Sequence, residues 1–323
     1  MIEYNNTTLH EEDHYDIIEE LPKFYAKYDA FPVVLALLIV VTNGMNLLCM
    51  WRKGCCRRQS TNWFLGGLAS CDLLTGLFGI PFYLACTSTY TLTICVTSVV
   101  FTHFVSILTT LHIVLITTDR YVSIVYSMRY PDLLTNKLTK TALTVSWLFA
   151  FVTASVQLTW IDYSTNVDKE GSAVEQKATK IFYILSFVLF FIIPLSWMVY
   201  CYTRIIYELL QQFKKIKKET IPRTINATRK YPCQYQRSRA IAVYIIIFAT
   251  YILSWLPYHL FKLEELLKFT THLQLAEVQY FFVYCRFLEP LLNPIVYTLG
   301  KKDLRKAVSS EVQNIARKFT CQG

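Results

Sequence analysis

The chain has 323 residues, of which 54% are hydrophobic and only 17% are charged, and its mean hydropathy is +0.33. A soluble globular domain carries about 25% charged residues, so this composition excludes an ordinary soluble domain and indicates a membrane protein. The net charge of +9 comes from bases divided among several segments beside apolar stretches. A nucleic-acid footprint would place its bases on one face of a soluble domain, so we expect no nucleic-acid partner.

Seven stretches with little or no charge predict membrane-spanning helices. Each has about 20 residues, enough to cross a hydrocarbon core about 30 Å thick. They are too long and too uniformly apolar to be strands of a membrane barrel, which alternate in polarity. The predicted fold is therefore an all-α membrane protein, a bundle of seven transmembrane helices. The stretches cover residues 31–51, 63–86, 95–118, 141–161, 181–202, 240–260 and 280–300.

The distribution of lysine and arginine predicts the orientation of these helices. Bases concentrate in the first, third and fifth connections and in the C-terminal tail, whereas the N-terminal stretch is acidic. Basic connections stay in the cytoplasm, so we expect an extracellular tail over residues 1–30, a transmembrane domain over 31–300 and a cytoplasmic segment over 301–323. Nothing at the N-terminus resembles a cleaved signal peptide. Asn5 and Asn6 begin glycosylation sequons in the external tail.

Two cytoplasmic segments stand out. The connection over residues 211–239 is long and basic and contains two prolines, so it is interpreted as a mobile loop. After the last span, apolar residues recur at helical spacing and predict an amphipathic helix at the inner membrane interface. These residues are Leu304, Val308, Val312, Ile315 and Phe319. Cys321 follows them as a candidate palmitoylation site.

Charged side chains inside the predicted spans are costly and are functional candidates for that reason. Asp72 lies in the second span, Arg286 and Glu289 lie in the seventh, and Asp119 and Arg120 end the third.

Six sequence motifs occur in the right spans and order to resemble a rhodopsin-like (class A) G-protein-coupled receptor. They are "LASCDLL" around Asp72, Asp119-Arg120-Tyr121, Trp147, Pro194, "SWLP" at Ser254 to Pro257 and "NPIVY" at Asn293 to Tyr297. The resemblance covers about residues 31–319.

The resemblance implies a receptor of the plasma membrane with a heterotrimeric G protein and arrestin as partners inside the cell. Arg120 would pair with Asp119 at rest and meet the G protein on activation, with Met128 as an apolar contact. Trp255 would act as a switch beneath the ligand, and Pro257 as a kink that lets the sixth span move. The implied coupling and activation residues are Asp119, Arg120, Tyr121, Met128, Tyr202, Trp255, Pro257, Asn293, Pro294 and Tyr297.

The resemblance also implies one allosteric sodium ion and no other cofactor or metal. Asp72 and Asn293 match the sodium site of many family members, and Thr109 is a third candidate ligand. The polar residue usual in the first span is Asn43 or Asn46, and Asn43 is the better fit to the helix end.

The pocket residues do not identify a ligand but narrow its chemistry. Thr102 stands where amine receptors have an aspartate, which disfavours an amine, and the histidines with Lys262 and Arg286 suggest an anionic small molecule, a lipid or a peptide. The alternative is that Arg286 pairs with Glu289 and Lys262 only reaches towards the membrane surface. The pocket candidates are Thr102, His103, Ser106, Ser186, Tyr258, His259, Lys262 and Arg286.

The chain departs from the family pattern at its cysteines and at the sixth span. The connection over residues 162–180 contains no cysteine, so Cys95 is either free or bonded to Cys86. The absence of the usual bond resembles melanocortin, lysophospholipid and cannabinoid receptors, and the stretch from Asp119 to Thr135 is similar to the corresponding melanocortin loop. Arg237 and Arg239 occupy the region where many members have an acid to hold Arg120, which suggests raised basal signalling.

The rival interpretation is a transporter or an ion-conducting protein, with the buried charges along its path. Transporters show internal repeats and broken helices, and the sequence has neither. We see no nucleophile–base pair or metal-ligand cluster, so an enzyme is not expected.

Overall fold

The computed structural model describes residues 26–52, 60–161, 172–219, 226–267 and 276–300, and several separate positions between 305 and 317. Side chains are described within 29–52, 61–161, 172–215, 242–264 and 280–298, except that of Tyr297, and at the separate positions between 305 and 317. The predicted sites at Asn5, Asn6 and Cys321, and the side chains of Arg237 and Arg239, lie outside the described residues.

Seven long helical segments form the bundle, and the described residues contain no strand. The structure thus confirms the all-α membrane fold. Six of the helices are long and apolar enough to cross a membrane within the part described, and the helix Ala276–Gly300 is the seventh. The segments are Ala26–Arg52; Ser60–Leu74, Thr75–Gly79 and Ile80–Thr89; Leu92–Val125; Asn136–Ser155 and Val156–Thr159; Ala173–Phe187, Val188–Ile192 and Ile193–Glu219; Asn226–Leu267; and Ala276–Gly300. They are called the first to seventh spans below.

Several helices extend beyond the predicted apolar stretches. The third helix continues to Val125, so Asp119 and Arg120 lie inside its last turns.

The prediction of a mobile loop over residues 211–239 is wrong for the residues described there. The fifth span is helical to Glu219, and the sixth span begins at Asn226. Lysine, glutamine and arginine are strong helix formers, and each added residue extends an existing helix at little cost.

The second and fifth spans each contain one turn of π-helix, at Thr75–Gly79 and Val188–Ile192. A π turn closes hydrogen bonds from i to i+5 and so accommodates more residues than an α turn. The first of these turns begins just after Asp72 and therefore borders the central polar residues of the bundle.

Close packing holds the second and third spans together. Gly67 faces His112, and an added Cβ would lie 2.4 Å from the Nε2 atom of that histidine. His112 is itself fully buried and hydrogen-bonded through Nδ1 to the carbonyl of Leu108 at 2.7 Å. Only glycine fits at residue 67 without displacing the ring.

A disulfide joins Cys86 to Cys95 where the second span passes into the third. Of the two alternatives for Cys95, the structure therefore has the bonded one. The short connection turns at Tyr90, whose backbone is left-handed with φ of 49°. We call this end of the bundle the disulfide end, and the opposite end, where Asp119 and Arg120 lie, the arginine end.

The described positions after the seventh span are helical where they are assigned. Val308 packs against the core of the arginine end, and the carboxylate of Glu311 lies 3.5 Å from the guanidinium of Arg52. These contacts attach the segment to the first span. Its predicted position at the membrane interface stays a prediction.

Candidate functional site

Asp119 and Arg120 form an ion pair at the arginine end. The Nε atom of Arg120 donates to Oδ2 of Asp119 at 2.9 Å, and its Nη2 atom contacts the same oxygen. Thr61 of the second span donates to that oxygen at 2.6 Å and also accepts from Nη2 of Arg120. Asp119 is 1% exposed, so these hydrogen-bond donors, and not water, stabilise its negative charge. The pair predicted from the sequence is thus formed and is supported by the second span.

Tyr130 supplies a further donor to the same carboxylate. It lies in the short helix Tyr130–Leu133 beyond the third span, and its hydroxyl donates to Oδ1 of Asp119 at 2.8 Å. Burial, followed by the neighbouring Asp119 carboxylate, raises the pKa of the Tyr130 phenol to about 12. The phenol therefore stays a hydrogen-bond donor at neutral pH.

The sixth span contacts Arg120 through an aromatic ring. The guanidinium carbon of Arg120 lies 5.1 Å from the ring centroid of Tyr244, which is 2% exposed. A cation over a tyrosine face at this distance is attracted to it. The hydroxyl of Tyr202 donates to the carbonyl of Tyr244 at 2.9 Å and links the fifth span to the sixth. The third, fifth and sixth spans thus meet around Arg120.

The remaining predicted coupling residues divide into exposed and buried positions. Met128 is 92% exposed, as a contact with a partner requires, whereas Tyr121 is buried among the rings of Tyr126, Trp197 and Tyr200.

The predicted coupling residues of the sixth and seventh spans include two prolines. Pro257 and Pro294 lie within the sixth and seventh helices. The side chain of Tyr297 lies outside the described residues, so its predicted approach to Arg120 stays a prediction.

Asp72, Asn293, Glu289 and Trp255 form a polar cluster in the middle of the bundle, called the central cluster below. The amide nitrogen of Asn293 donates to Oδ2 of Asp72 at 3.1 Å and to Oε1 of Glu289 at 3.2 Å. The indole of Trp255 donates to Oε2 of Glu289 at 2.7 Å. The contact of Asp72 with Asn293 was expected from the sequence, but the place of Glu289 between Asn293 and Trp255 was not.

The third proposed cation ligand, Thr109, and the two candidate asparagines of the first span lie around this cluster. Thr109 contacts the sulfur of Cys71 at 3.3 Å rather than a carboxylate. Asn43 donates to the carbonyl of Pro290 at 2.8 Å, which places it next to Glu289, whereas Asn46 accepts from Thr298. The described residues contain no group of three His, Cys, Asp or Glu side chains suited to a metal, so a cation here would need amide or hydroxyl oxygens too.

A small cavity lies above the central cluster, towards the disulfide end. The space open to a water-sized sphere is about 20 Å³. Trp255 and Glu289 line it together with Thr109 and Arg286. Of the predicted pocket residues, Thr102 and Arg286 reach this cavity.

Arg286 is buried but does not pair with Glu289, so the alternative ion pair is wrong. Its guanidinium carbon lies 4.7 Å from the ring centroids of both Tyr258 and Phe287, and its Nε atom has no hydrogen-bond partner. Glu289 instead accepts from Trp255 and Asn293. The acid is thus satisfied by Trp255 of the sixth span and by Asn293 one turn further along its own helix, and the guanidinium keeps donor capacity for a ligand.

The other predicted pocket residues do not line this cavity. His103 is buried against the fourth span, with Nδ1 2.8 Å from Oε1 of Gln157. The ring of His259 is tilted against that of Phe191, with the two centroids 4.7 Å apart. Tyr258 lies behind two residues that line the cavity, because its ring contacts both Arg286 and Trp255. Ser106, Ser186 and Lys262 are half-buried elsewhere at this end.

Residues 42–297 match the family described as "7 transmembrane receptor (rhodopsin family)". The chain belongs to this family. Its members are receptors and not enzymes, which agrees with the expectation from the sequence. Membership also favours a receptor over the transporter considered above.

Similarity to individual rhodopsin-family receptors is distant. The chain is 24% identical over 191 residues to trace amine-associated receptor 9 of Rattus norvegicus, covering 55% of the chain and 54% of that receptor. It is 26% identical over 194 residues to the pyroglutamylated RF-amide peptide receptor of Rattus norvegicus, covering 55% and 44%. The corresponding Mus musculus receptor is 25% identical over 191 residues, covering 55% and 44%. The chain thus spans about half the length of the curated relatives it matches.

Sequence reasoning missed most partners of the charged residues. Thr61, Tyr130 and Tyr244 surround Asp119 and Arg120, yet an isolated threonine or tyrosine in an apolar span carries no pattern that predicts such a role. Glu289 did give a signal, because an acid in an apolar span is unusual. Its partner was predicted on the same helix, whereas the structure supplies Trp255 from the sixth span.

Proposed function

We propose that this rhodopsin-family chain is a G-protein-coupled receptor of the plasma membrane, with its N-terminus outside. It binds a ligand at the disulfide end, where the cavity beside Arg286 would widen to admit it, and activates a heterotrimeric G protein at the arginine end. The observation that carries the proposal is Arg120, a guanidinium held at the edge of the bundle by a buried acid and by the ring of Tyr244. Arrestin would use the same end.

The contacts of Arg120 support a resting state that activation would release. Movement of the sixth span would remove Tyr244 from the guanidinium and open the arginine end between the third and sixth spans. A ligand can cause this only if it binds the open state more tightly than the resting one. Trp255 offers the link, because it lines the cavity and donates to Glu289 at 2.7 Å.

The ligand we propose is a small molecule with an anionic group. The unpartnered Nε of Arg286 is the donor that would hold it, and a guanidinium suits carboxylate or phosphate oxygens. Thr102 lines the cavity where amine receptors have an aspartate, so the amine named in one relative is not favoured here. A lipid or a peptide would also fit this site if it carries an acidic group that Arg286 can bind. The likeness to melanocortin and lysophospholipid receptors stays a prediction.

The proposal includes a cation at the central cluster. Oδ1 of Asp72 and Oδ1 of Asn293 are buried without hydrogen-bond partners, and a bound cation would satisfy both. The sequence resemblance implies sodium in this place. Bound there, the cation would stabilise the packed resting arrangement of the second and seventh spans.

Second-messenger output tests the proposal. Cells expressing the wild type, Arg120→Ala and Arg129→Ala at equal surface density are assayed for cAMP and calcium, first without ligand and then with a panel of anionic metabolites and lipids. Arg129 is an exposed base nearby and serves as the matched control. We expect a signal in the wild type and in Arg129→Ala that Arg120→Ala loses. A wild-type signal that survives in Arg120→Ala would contradict the assignment.

A further inference from the structure

The central cluster contains two acids and no base to balance them. Asp72 and Glu289 are both 0% exposed, and the amide of Asn293 donates to one oxygen of each. Among the described residues, no lysine or arginine forms an ion pair with either carboxylate. Two adjacent buried negative charges without a counter-charge are strongly unfavourable, so the cluster needs a cation or a proton to balance them.

Two oxygens of the central cluster have no hydrogen-bond partner and are candidates to bind a cation. Oδ1 of Asp72 and Oδ1 of Asn293 are buried and accept no hydrogen bond. Buried polar atoms nearly always have partners. Two oxygens without hydrogen-bond partners on neighbouring side chains therefore indicate a ligand that binds both oxygens. Both are hard oxygen donors, the ligand type that Ca²⁺ and Mg²⁺ prefer.

Space for such an ion adjoins the cluster. The cavity above it is lined by the oxygen-bearing side chains of Thr75, Thr109 and Glu289, and its open space of about 20 Å³ admits about one water molecule. Arg286 lines the same cavity, but its guanidinium is held over the rings of Tyr258 and Phe287. Of the two acids, Glu289 lines this space, and Asp72 is connected to Glu289 through the amide of Asn293.

We propose that Glu289 makes the central cluster a site for a divalent cation of the Ca²⁺ or Mg²⁺ class rather than for sodium. Asp72, Glu289 and Asn293 supply the protein ligands, and the threonine hydroxyls and water complete the shell. One divalent ion balances both carboxylates, whereas one sodium ion leaves a net negative charge buried. The inference rests on the cation site of the proposed function and changes the class of ion that it takes.

Thermal unfolding of the purified full chain in detergent tests this at fixed neutral pH. NaCl, MgCl₂ and CaCl₂ are titrated separately, with choline chloride keeping the ionic strength constant. A thiol-reactive dye reports unfolding, because Cys49, Cys71 and Cys201 are buried free thiols. The variants are Glu289→Gln and Asp72→Asn, with Asp132→Asn as the control for an exposed acid outside the cluster.

We expect a divalent ion to raise the unfolding temperature of the wild type and of Asp132→Asn at a concentration about tenfold or more below that needed for NaCl. Glu289→Gln should lose this preference and respond to NaCl at least as readily. Asp72→Asn should respond to neither ion.

Terbium emission sensitised by Trp255, whose indole contacts Glu289, gives a second measure that does not depend on the stability of the variants. Emission in the wild type that Ca²⁺ displaces, and that Glu289→Gln weakens about tenfold or more, supports the site. Equal responses of the wild type to sodium and divalent ions, or an unchanged divalent response in Glu289→Gln, would overturn the proposal. The same titrations are then repeated at a second, lower pH. Stability that responds to none of the ions but changes between the two pH values would overturn the proposal too, because protons would then balance the acids. Since no G protein takes part, these failures would leave the signalling test untouched.

Discussion

Tyr244 offers a direct test of how the resting state is held. Replacing it by leucine removes the ring that lies 5.1 Å from the guanidinium of Arg120 and keeps most of the buried volume. A cation over an exposed ring is stabilised by about 0.5–1 kcal/mol and over a desolvated ring by about 2 kcal/mol. The ring is 2% exposed, so Tyr244→Leu should destabilise the resting state by about 1–2 kcal/mol.

That loss shifts the equilibrium between resting and active states by about fivefold to thirtyfold. We therefore expect basal second-messenger output to rise by a factor in this range, measured without ligand at equal surface density. The ion pair with Asp119 and the hydrogen bond from Tyr202 to the backbone of Tyr244 are retained in the variant. The variant thus changes the ring contact and the hydroxyl of residue 244 and leaves these other contacts in place.

Tyr244→Phe is the matched control, because it keeps the aromatic face and removes only the hydroxyl. Its basal output should stay within about twofold of the wild type if the ring face carries the effect. Equal output from the leucine variant and the wild type would refute the reasoning. An equal rise in both variants would assign the effect to the hydroxyl.

The remaining predictions concern stability, each measured by thermal unfolding of the purified chain. Gly67→Ala forces a Cβ against His112 and should cost about 1–3 kcal/mol, whereas Gly44→Ala, where nothing lies within 4 Å, should be neutral or stabilising by up to about 1 kcal/mol. Removing the disulfide by double serine substitution should cost about 2–3 kcal/mol for a link spanning 9 positions, and a reductant should reproduce the loss in the wild type alone. Tyr130→Phe should cost about 1 kcal/mol near neutral pH through its lost bond to Asp119. Because the folded pKa is raised from 10.0 to about 12, that difference should be complete below pH 10 and vanish as the pH rises through 12.

The sequence predicts the spans well because hydropathy and helix length follow from the bilayer. It also predicts the contact between Asp72 and Asn293, since the family resemblance fixes both positions. It does not predict the partners of Arg120, because those depend on how far each helix is rotated about its axis. Thr61 and Tyr244 face the guanidinium only in the packed bundle.

Local spacing misled the interpretation of the seventh span. Arg286 and Glu289 are three residues apart, which favours an ion pair on an isolated helix. In the bundle, the indole of Trp255 and the amide of Asn293 satisfy the acid, and aromatic rings surround the base. The acid therefore bonds Trp255 of the sixth span and Asn293 four residues along its own helix instead of the base three residues away, and one sequence alone does not show this choice.

The π turn at Thr75–Gly79 has a consequence for comparing this receptor with its relatives. One extra residue in a helical turn shifts every later side chain by one place in register while leaving earlier ones unchanged. An ungapped alignment through the second span would then pair Tyr83 and Cys86 with residues that face a different direction. A relative with a regular helix there needs a one-residue gap within the turn before any pocket position beyond it can be transferred.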